Sequence, residues 1–441
     1  MSTSEAKGLS DFVRILYTLL FFLLQPLLLL RLYWRSIKAP AYRDGIGQRF
    51  GYYPQRAQQQ CIWVHAVSVG ETIASVPLVR QLAVLYPTLP IVVSTTTPTG
   101  AERVDALLGD LVSHVYAPYD LPGVMRRFVR HFQPRVLIII ETELWPNMIH
   151  YCHREGVPVV LANARLSEKS ATGYQRVGRL VRPMLEQLSA VAVQTDIEAQ
   201  RFISLGLPPQ NVHVTGNIKF DMQLTEVDRK KALDWRKAWC SNRQSWIAAS
   251  THEGEDEIIL QAHLALLRHY PDLLLILVPR HPERFGTAVE LSRDAGLKPH
   301  RLSTGTALAA DAGVVIGDTM GDLLGLFGAA RIAFVGGSLV PRGGHNLLEP
   351  ALWAMPVLSG PHVFNFQEIA DLMQAAGALQ ISPDALALEN AIVKMLQSPP
   401  YLQELGARAY SVVEQNRGSL QRLIDVIVGV GQKASTQAFT Q

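Results

Sequence analysis

Residues 68–71 read Ser-Val-Gly-Glu and follow a short apolar run, "CIWVHAV", that begins at Cys61. A carboxylate at the tip of a strand can take the proton from a hydroxyl as that hydroxyl attacks, which is general-base work. The same Ser-x-x-Glu spacing is also a helix capping box, in which Glu71 folds back onto a backbone N–H. The residues alone leave both roles open.

Four other loops after apolar runs carry chemistry-capable groups: Glu141-Thr-Glu143-Leu-Trp-Pro146, Ser250-Thr-His-Glu-Gly-Glu255, Val278-Pro-Arg-His-Pro-Glu283 and Gly343-Gly-His-Asn-Leu-Leu-Glu349. Arg280, directly after a buried-looking strand, is placed to pair with a phosphate or carboxylate, or is a surface arginine at a strand end. Val335 to Pro361 reads as a strand ending in glycines, a glycine-rich loop and a helix start whose free N–H groups suit an anion such as a phosphodiester. Asn346 and Glu349 are three apart, on one helix face, where Glu349 can accept from two ribose hydroxyls; a capping box reads equally well. In "GDTMGDLLGLF", Thr319-x-x-Asp322 is cap or ligand, and capping alone accounts for Asp322. Glu141 and Glu143 alternate at a strand end and so point to opposite faces, which leaves at most one of them, Glu141, for a cleft.

No His-x-x-x-His pair occurs, and His65, His252, His281 and His345 are each alone in their loops, so no metal is expected. Neither a Gly-x-x-x-x-Gly-Lys-Ser/Thr P-loop nor a Gly-x-Gly-x-x-Gly fingerprint is present, which argues against a nucleoside triphosphatase or an NAD enzyme. Cys61, Cys152 and Cys240 are scattered and make no disulfide framework, as in a reducing compartment.

These loops need a scaffold of parallel strands. The chain has 441 residues, 48% hydrophobic and 18% charged, room for two domains. Short β-rich runs followed by helical patterns repeat along it, the mark of βα units. Six runs, from "CIWVHAV" to "AVAVQT", fall before Val214. The theme then pauses over Phe220 to Gln244 and restarts with "SWIAAS", "LLLILVP", "GVVIGD", "RIAFVGG" and "PVLSG". The reading is an α/β protein of two Rossmann-like domains facing a cleft, with ligands beyond the carboxyl ends of the strands. Boundaries are expected at 37–218 for the first domain, 219–245 for a linker, 246–430 for the second domain and 431–441 for a disordered tail.

Residues 1–36 stand apart. Ile15 to Leu30 carries no charge, and Phe12 to Trp34 is just long enough to span a bilayer, with Gln25-Pro26 interrupting its middle. No small-residue cleavage site follows, only the basic, aromatic "RLYWRSIKAPAYR". Residues 1–60 hold eight basic groups against three acids, although the whole chain is only +3. Basic residues after the segment place the bulk of the chain on the cytoplasmic side. The segment is read as a membrane anchor that spans the bilayer or lies on it.

Taken in order, "WVHAVSVGE", "ETELWPN", "NARLSEKS", "TGNIKFD", "STHEGE", "VPRHPERF", "GDTMGDL", "FVGGSLVPRGGHNLLEP" and "GPHVFNF" resemble the 3-deoxy-D-manno-oct-2-ulosonic acid (Kdo) transferases of lipopolysaccharide biosynthesis. The resemblance runs from the N-terminal anchor to about residue 375. It implies a GT-B glycosyltransferase fold, a CMP-Kdo donor bound mainly by the C-terminal domain, lipid IVA as acceptor, the inner membrane as location, and neither metal, cofactor nor nucleic acid. By position, Glu71 matches the family's general base. Pro279 and Arg280, then Met320, Gly321 and Asp322, then Asn346, Leu347, Leu348 and Glu349 match its CMP-binding segments. The family commonly has Glu where this chain has Asp322. A nucleotide-sugar 2-epimerase of similar fold and a non-catalytic membrane-tethered binding protein are the alternatives.

Overall fold

The computed structural model describes residues 3–54, 60–241, 243–309 and 311–438. The chain divides into two compact units, one of residues 1–218 with 418–441 and one of residues 219–417.

The first unit holds a seven-stranded sheet in the order β3-β2-β1-β4-β5-β6-β7. Its strands are β1 (Ile62–His65), β2 (Ile91–Thr95), β3 (Ser113–Tyr116), β4 (Val136–Ile140), β5 (Val159–Ala164), β6 (Ala190–Val193) and β7 (Val212–Val214). Every pairing is parallel. Runs such as Val-Leu-Ile-Ile-Ile in β4 are apolar throughout because helices cover both faces of a parallel sheet. The six expected strands are all present; β7 is a seventh, a three-residue edge strand.

The second unit repeats the plan with order β10-β11-β9-β8-β12-β13-β14, again all parallel. Its strands are β8 (Ser245–Thr251), β9 (Leu274–Pro279), β10 (Pro299–Arg301), β11 (Val314–Ile316), β12 (Ile332–Val335), β13 (Val357–Ser359) and β14 (Leu379–Ile381). The hydrophobic runs of the sequence mark the inner strands but miss β10 and β14, three-residue edge strands of mixed polarity.

Three expected boundaries are corrected. Residues 219–239 are no linker: Trp235 and Trp239 of the helix Glu226–Trp239 are buried in the second unit's core. The second domain ends at Arg417 rather than at 430. The helix Ser419–Ala438 returns to the first unit, where Leu423, Ile424 and Ile427 pack with Leu78 and Val93. That helix also covers most of the expected disordered tail; residues 439–441 lie outside the described residues.

The N-terminal helix, Thr3–Lys38, continues through Pro26, where the sequence suggests an interruption. It is the one helix among the described residues long and apolar enough to cross a membrane. One face packs on the first unit. Arg14 Nη1 donates to Asn147 Oδ1 at 3.4 Å, Asn147 Nδ2 donates to Thr18 Oγ1 at 3.1 Å, and the Phe21 ring lies 6.3 Å from that of Tyr119. Tyr17 donates a hydrogen bond to the buried Asp120. These positions recur at helical spacing. The other face leaves Phe12, Leu16, Leu19, Leu20, Leu23, Leu27, Leu30 and Trp34 exposed.

Candidate active site

In an open parallel sheet, loops diverge and leave a crevice where the strand order reverses. In the first unit that point lies between β1 and β4, and Glu71 sits in the first turn of the helix that follows the loop leaving β1. The Ser68 Oγ accepts from the Glu71 N–H at 3.2 Å and so starts the helix Val69–Leu85. The Glu71 carboxylate does fold back, though onto Val67 N–H (2.7 Å) and the Ser68 hydroxyl (2.8 Å), not onto the cap's own N–H. Capping geometry thus holds the carboxylate still at the switch point. Burial pushes its pKa up against those two hydrogen bonds, and the Glu143 and Glu141 charges push the same way. A raised carboxylate is a stronger base when ionised.

The alternation argument for Glu141 and Glu143 fails, because β4 ends at Ile140 and Glu141 turns into the left-handed region at φ 59°. Both charges bear on Glu71, Glu143 the more strongly. Glu143 accepts from Trp145 Nε1 at 2.9 Å.

In the second unit the switch point lies between β8 and β12. Gly336, just past β12, admits no side chain: a Cβ would stand 2.8 Å from the Ser250 carbonyl oxygen and 2.9 Å from Thr251 Cα. Gly336→Ala therefore forces apart the two loops, and a loss of about 1–3 kcal/mol in urea denaturation is expected. The next three amides do not face an anion site. Gly337, Ser338 and Leu339 N–H groups, with that of His252, donate to the carboxylate of Glu255 at 2.6, 2.9, 2.8 and 2.8 Å. Glu255 is wholly buried. The glycine-rich loop that reads as a phosphate cradle is thus filled by the protein's own carboxylate.

The other expected donor-site residues separate into groups. Pro279 ends β9, and Arg280, exposed just after it, donates its N–H to Thr251 O at 2.9 Å. Leu347 and Leu348 are buried in the same core cluster as Val335 and Val357, leaving only backbone for a ligand. Asn346 half-forms the expected cap: its Oδ1 accepts from Leu348 N–H at 3.1 Å, and its Nδ2 approaches Glu349 Oε1 at 3.3 Å and Met222 Sδ at 3.2 Å. Among the described residues the Glu349 carboxylate accepts from Asn346 Nδ2 and from no backbone N–H. Burial pushes its pKa up to about 7, opposed by Asn346 and by the Arg280 charge. Thr319 does not cap Asp322. Asp322 itself stands at the start of the helix Leu323–Ala329 and pairs with Lys231 Nζ at 2.6 Å. Met320 is exposed, and Gly321 takes φ 86°, a conformation open to glycine.

Three of the histidines that are each alone in their loops meet in space. His252, His345 and His281, from three different loops, converge: His252 and His345 share an Nε2···Nε2 hydrogen bond of 2.8 Å, and the rings of His252 and His281 lie 5.3 Å apart. Sequence spacing hides this cluster, because 93 residues separate the paired rings. No group of three or more metal-ligating side chains forms among the described residues.

Two parallel-sheet units with polar groups gathered at their switch points form a GT-B-like fold. The solved UDP-GlcNAc 2-epimerase of Neisseria meningitidis shares it, with a TM-score of 0.57 at 15% identity, over 84% of this chain and 100% of that one. Sequence narrows the class. The family model of 3-deoxy-D-manno-octulosonic-acid transferase (kdotransferase) matches residues 44–222. The 3-deoxy-D-manno-octulosonic acid transferase of Haemophilus influenzae is 46% identical over 94% of this chain and 98% of its own length. That of Bordetella pertussis is 35% identical over 93% and 98%. The chain belongs to the 3-deoxy-D-manno-octulosonic acid transferase family and is a glycosyltransferase.

Proposed function

We propose that the protein transfers Kdo from CMP-Kdo to a sugar hydroxyl of lipid IVA, in one inverting displacement without metal, with Glu71 as general base. The observation that carries this is the Glu71 carboxylate, buried and doubly hydrogen-bonded at the first unit's switch point. The acceptor hydroxyl attacks the anomeric carbon of Kdo while Glu71 takes its proton. The bond from that carbon to the phosphate breaks, and CMP leaves. A single displacement needs one base and no covalent intermediate, by analogy with inverting glycosidases.

On the donor side, Arg280 pairs with the anion and Glu349 accepts from the ribose hydroxyls. Asn346 holds Glu349, Leu347 and Leu348 offer backbone groups, Pro279 shapes the strand end, and Met320 and Gly321 form a turn that Asp322 fastens to Lys231. The carboxylate of Asp322 is thereby engaged within the protein, which fits its contribution being the loop rather than a ligand contact.

The N-terminal helix lies on the cytoplasmic face of the inner membrane. Its contacts through Arg14, Tyr17, Thr18 and Phe21 fall in the middle of the apolar segment, so a helix that crossed the bilayer would have to give them up. The exposed apolar face enters the interface, and the basic residues that follow meet anionic lipid. A cysteine at Ser4 should then be labelled by an impermeant maleimide only when the cytoplasmic side is opened. Labelling from the periplasmic side of intact cells would establish a span instead.

A 2-epimerase reading rests on the shared fold alone. Release of CMP from CMP-Kdo that depends on added lipid IVA is the expected result. Acceptor-independent conversion of a nucleotide sugar would favour the epimerase.

A further inference from the structure

The second unit's anion cradle is already filled. Glu255 consumes the N–H groups of His252, Gly337, Ser338 and Leu339. Those four amides are closed to a phosphate leaving the donor, and the switch point presents one side-chain arrangement suited to it. His252 and His345 meet through their Nε2 atoms at 2.8 Å, with ring planes 2° apart and ring centres 5.1 Å apart. Those distances describe two rings edge to edge in one plane, the centre separation being the hydrogen bond plus the two ring radii. One proton must lie between the two nitrogens for the contact to exist. Neither Nδ1 has a hydrogen bond to protein among the described residues.

Such a pair is a two-ended proton carrier. With one proton bridging and a second on the outer Nδ1 of the accepting ring, both rings are neutral. A further proton on the free Nδ1 makes an imidazolium hydrogen-bonded to an imidazole, and either outer Nδ1 can then release it.

We propose that the His252–His345 pair takes up one proton when CMP-Kdo binds and delivers it to the phosphate oxygen that leaves, with Arg280 holding the anion. The proposal rests on the donor reading above. The acceptor oxygen bonds to the anomeric carbon and gives its proton to Glu71. The carbon–oxygen bond to phosphate breaks, its electron pair stays on the phosphate, the imidazolium proton joins that oxygen, and the pair returns to neutral.

The surrounding charges set the direction. Burial, with His281, Arg342, Arg280 and Arg284 around His252 and Arg280 and His281 around His345, favours the neutral pair, holding His345 down to about 3. Glu255 is committed to four N–H groups, Asp256 to Arg284, and Glu349 faces Arg280. The phosphodiester and the sugar carboxylate of CMP-Kdo bring two negative charges to this basic cluster, which favours the protonated pair.

The probe for uptake is cytidine 5′-methylphosphate, a phosphodiester with no proton of its own to exchange near neutrality. Calorimetry of its binding to the full-length wild-type enzyme, in buffers of different ionisation enthalpy at pH 7.5, should report uptake of a proton, and none in His345→Gln. Gln keeps an amide near the Nε2 position but carries no proton on and off. Transfer by His345→Gln and by His252→Gln should fall about 10- to 100-fold in kcat, with KM for CMP-Kdo within threefold, and should lose the wild-type decline of kcat at high pH. Binding without proton uptake by the wild type overturns the proposal. So does an unaltered pH profile in both variants. If either variant misfolds, the wild-type calorimetry decides alone. Wild-type enzyme that neither binds the probe nor releases CMP from CMP-Kdo indicts the donor reading instead.

Discussion

Glu71→Gln is expected to abolish transfer and leave the fold intact. Glutamine fits the observed hydrogen bonds: its amide oxygen accepts from Val67 N–H, and its NH₂ donates to the Ser68 hydroxyl, which can rotate to receive it. An amide cannot take the acceptor's proton, so kcat should fall by roughly 10²–10⁴. Glu71→Ala removes the hydrogen bonds as well and should cost about 1 kcal/mol more in stability. The pH sign follows from burial. The folded protein holds the Glu71 pKa above its unfolded value, so the ionised form costs stability at neutral pH, and that cost fades as pH falls toward the unfolded pKa. Glu71→Gln should therefore melt no lower than wild type at pH 7.5, and its advantage should shrink in acid. Transfer by wild type should decline as the same carboxyl becomes protonated. A Glu71→Gln enzyme with full activity would return this residue to capping alone.

Glu255→Ala is expected to do the reverse, damaging the fold first. Four backbone N–H groups from two loops converge on one buried carboxylate, and its removal strands them. Hydrogen bonds to a charged group contribute a net of about 1.5–3 kcal/mol each, though the four are not additive and water entering the cavity would recover part. A net loss of roughly 3–5 kcal/mol in urea denaturation is the expected outcome, as for breaking a buried charged interaction. Glu255→Gln turns an NH₂ toward one pair of N–H donors, so it should fall between wild type and alanine. Equal midpoints for all three proteins would mean that the loops hold their shape without Glu255.

The parallel-sheet plan was legible because buried parallel strands are apolar along their whole length, and the ends of those runs mark where the loops begin. Periodicity says little about where a unit closes. The helix Glu226–Trp239 reads as polar interruption, yet its two tryptophans anchor it in the second unit. The helix Ser419–Ala438 follows the second unit in sequence, while Leu423, Ile424 and Ile427 belong to the first. Within the sites, Ser68 and Glu71 were legible because capping geometry is local. Glu255 was not: three of its four partners lie 82 to 84 residues away, and the glycine loop it fills has the composition of a phosphate cradle. The His252–His345 pair escaped for the same reason. Asp322 was read as cap or ligand, and its ion-pair partner Lys231 went unnoticed because it lies in the stretch taken for a linker.

The central claim is that this chain moves Kdo onto a lipid A precursor. Mass spectrometry of lipid IVA after incubation with the purified full-length protein and CMP-Kdo tests it most directly. The expected spectrum shows lipid IVA heavier by one or more whole Kdo residues, with Glu71→Gln leaving the lipid unchanged. Lipid IVA of unaltered mass after the wild-type enzyme has been supplied with fresh CMP-Kdo would contradict the account.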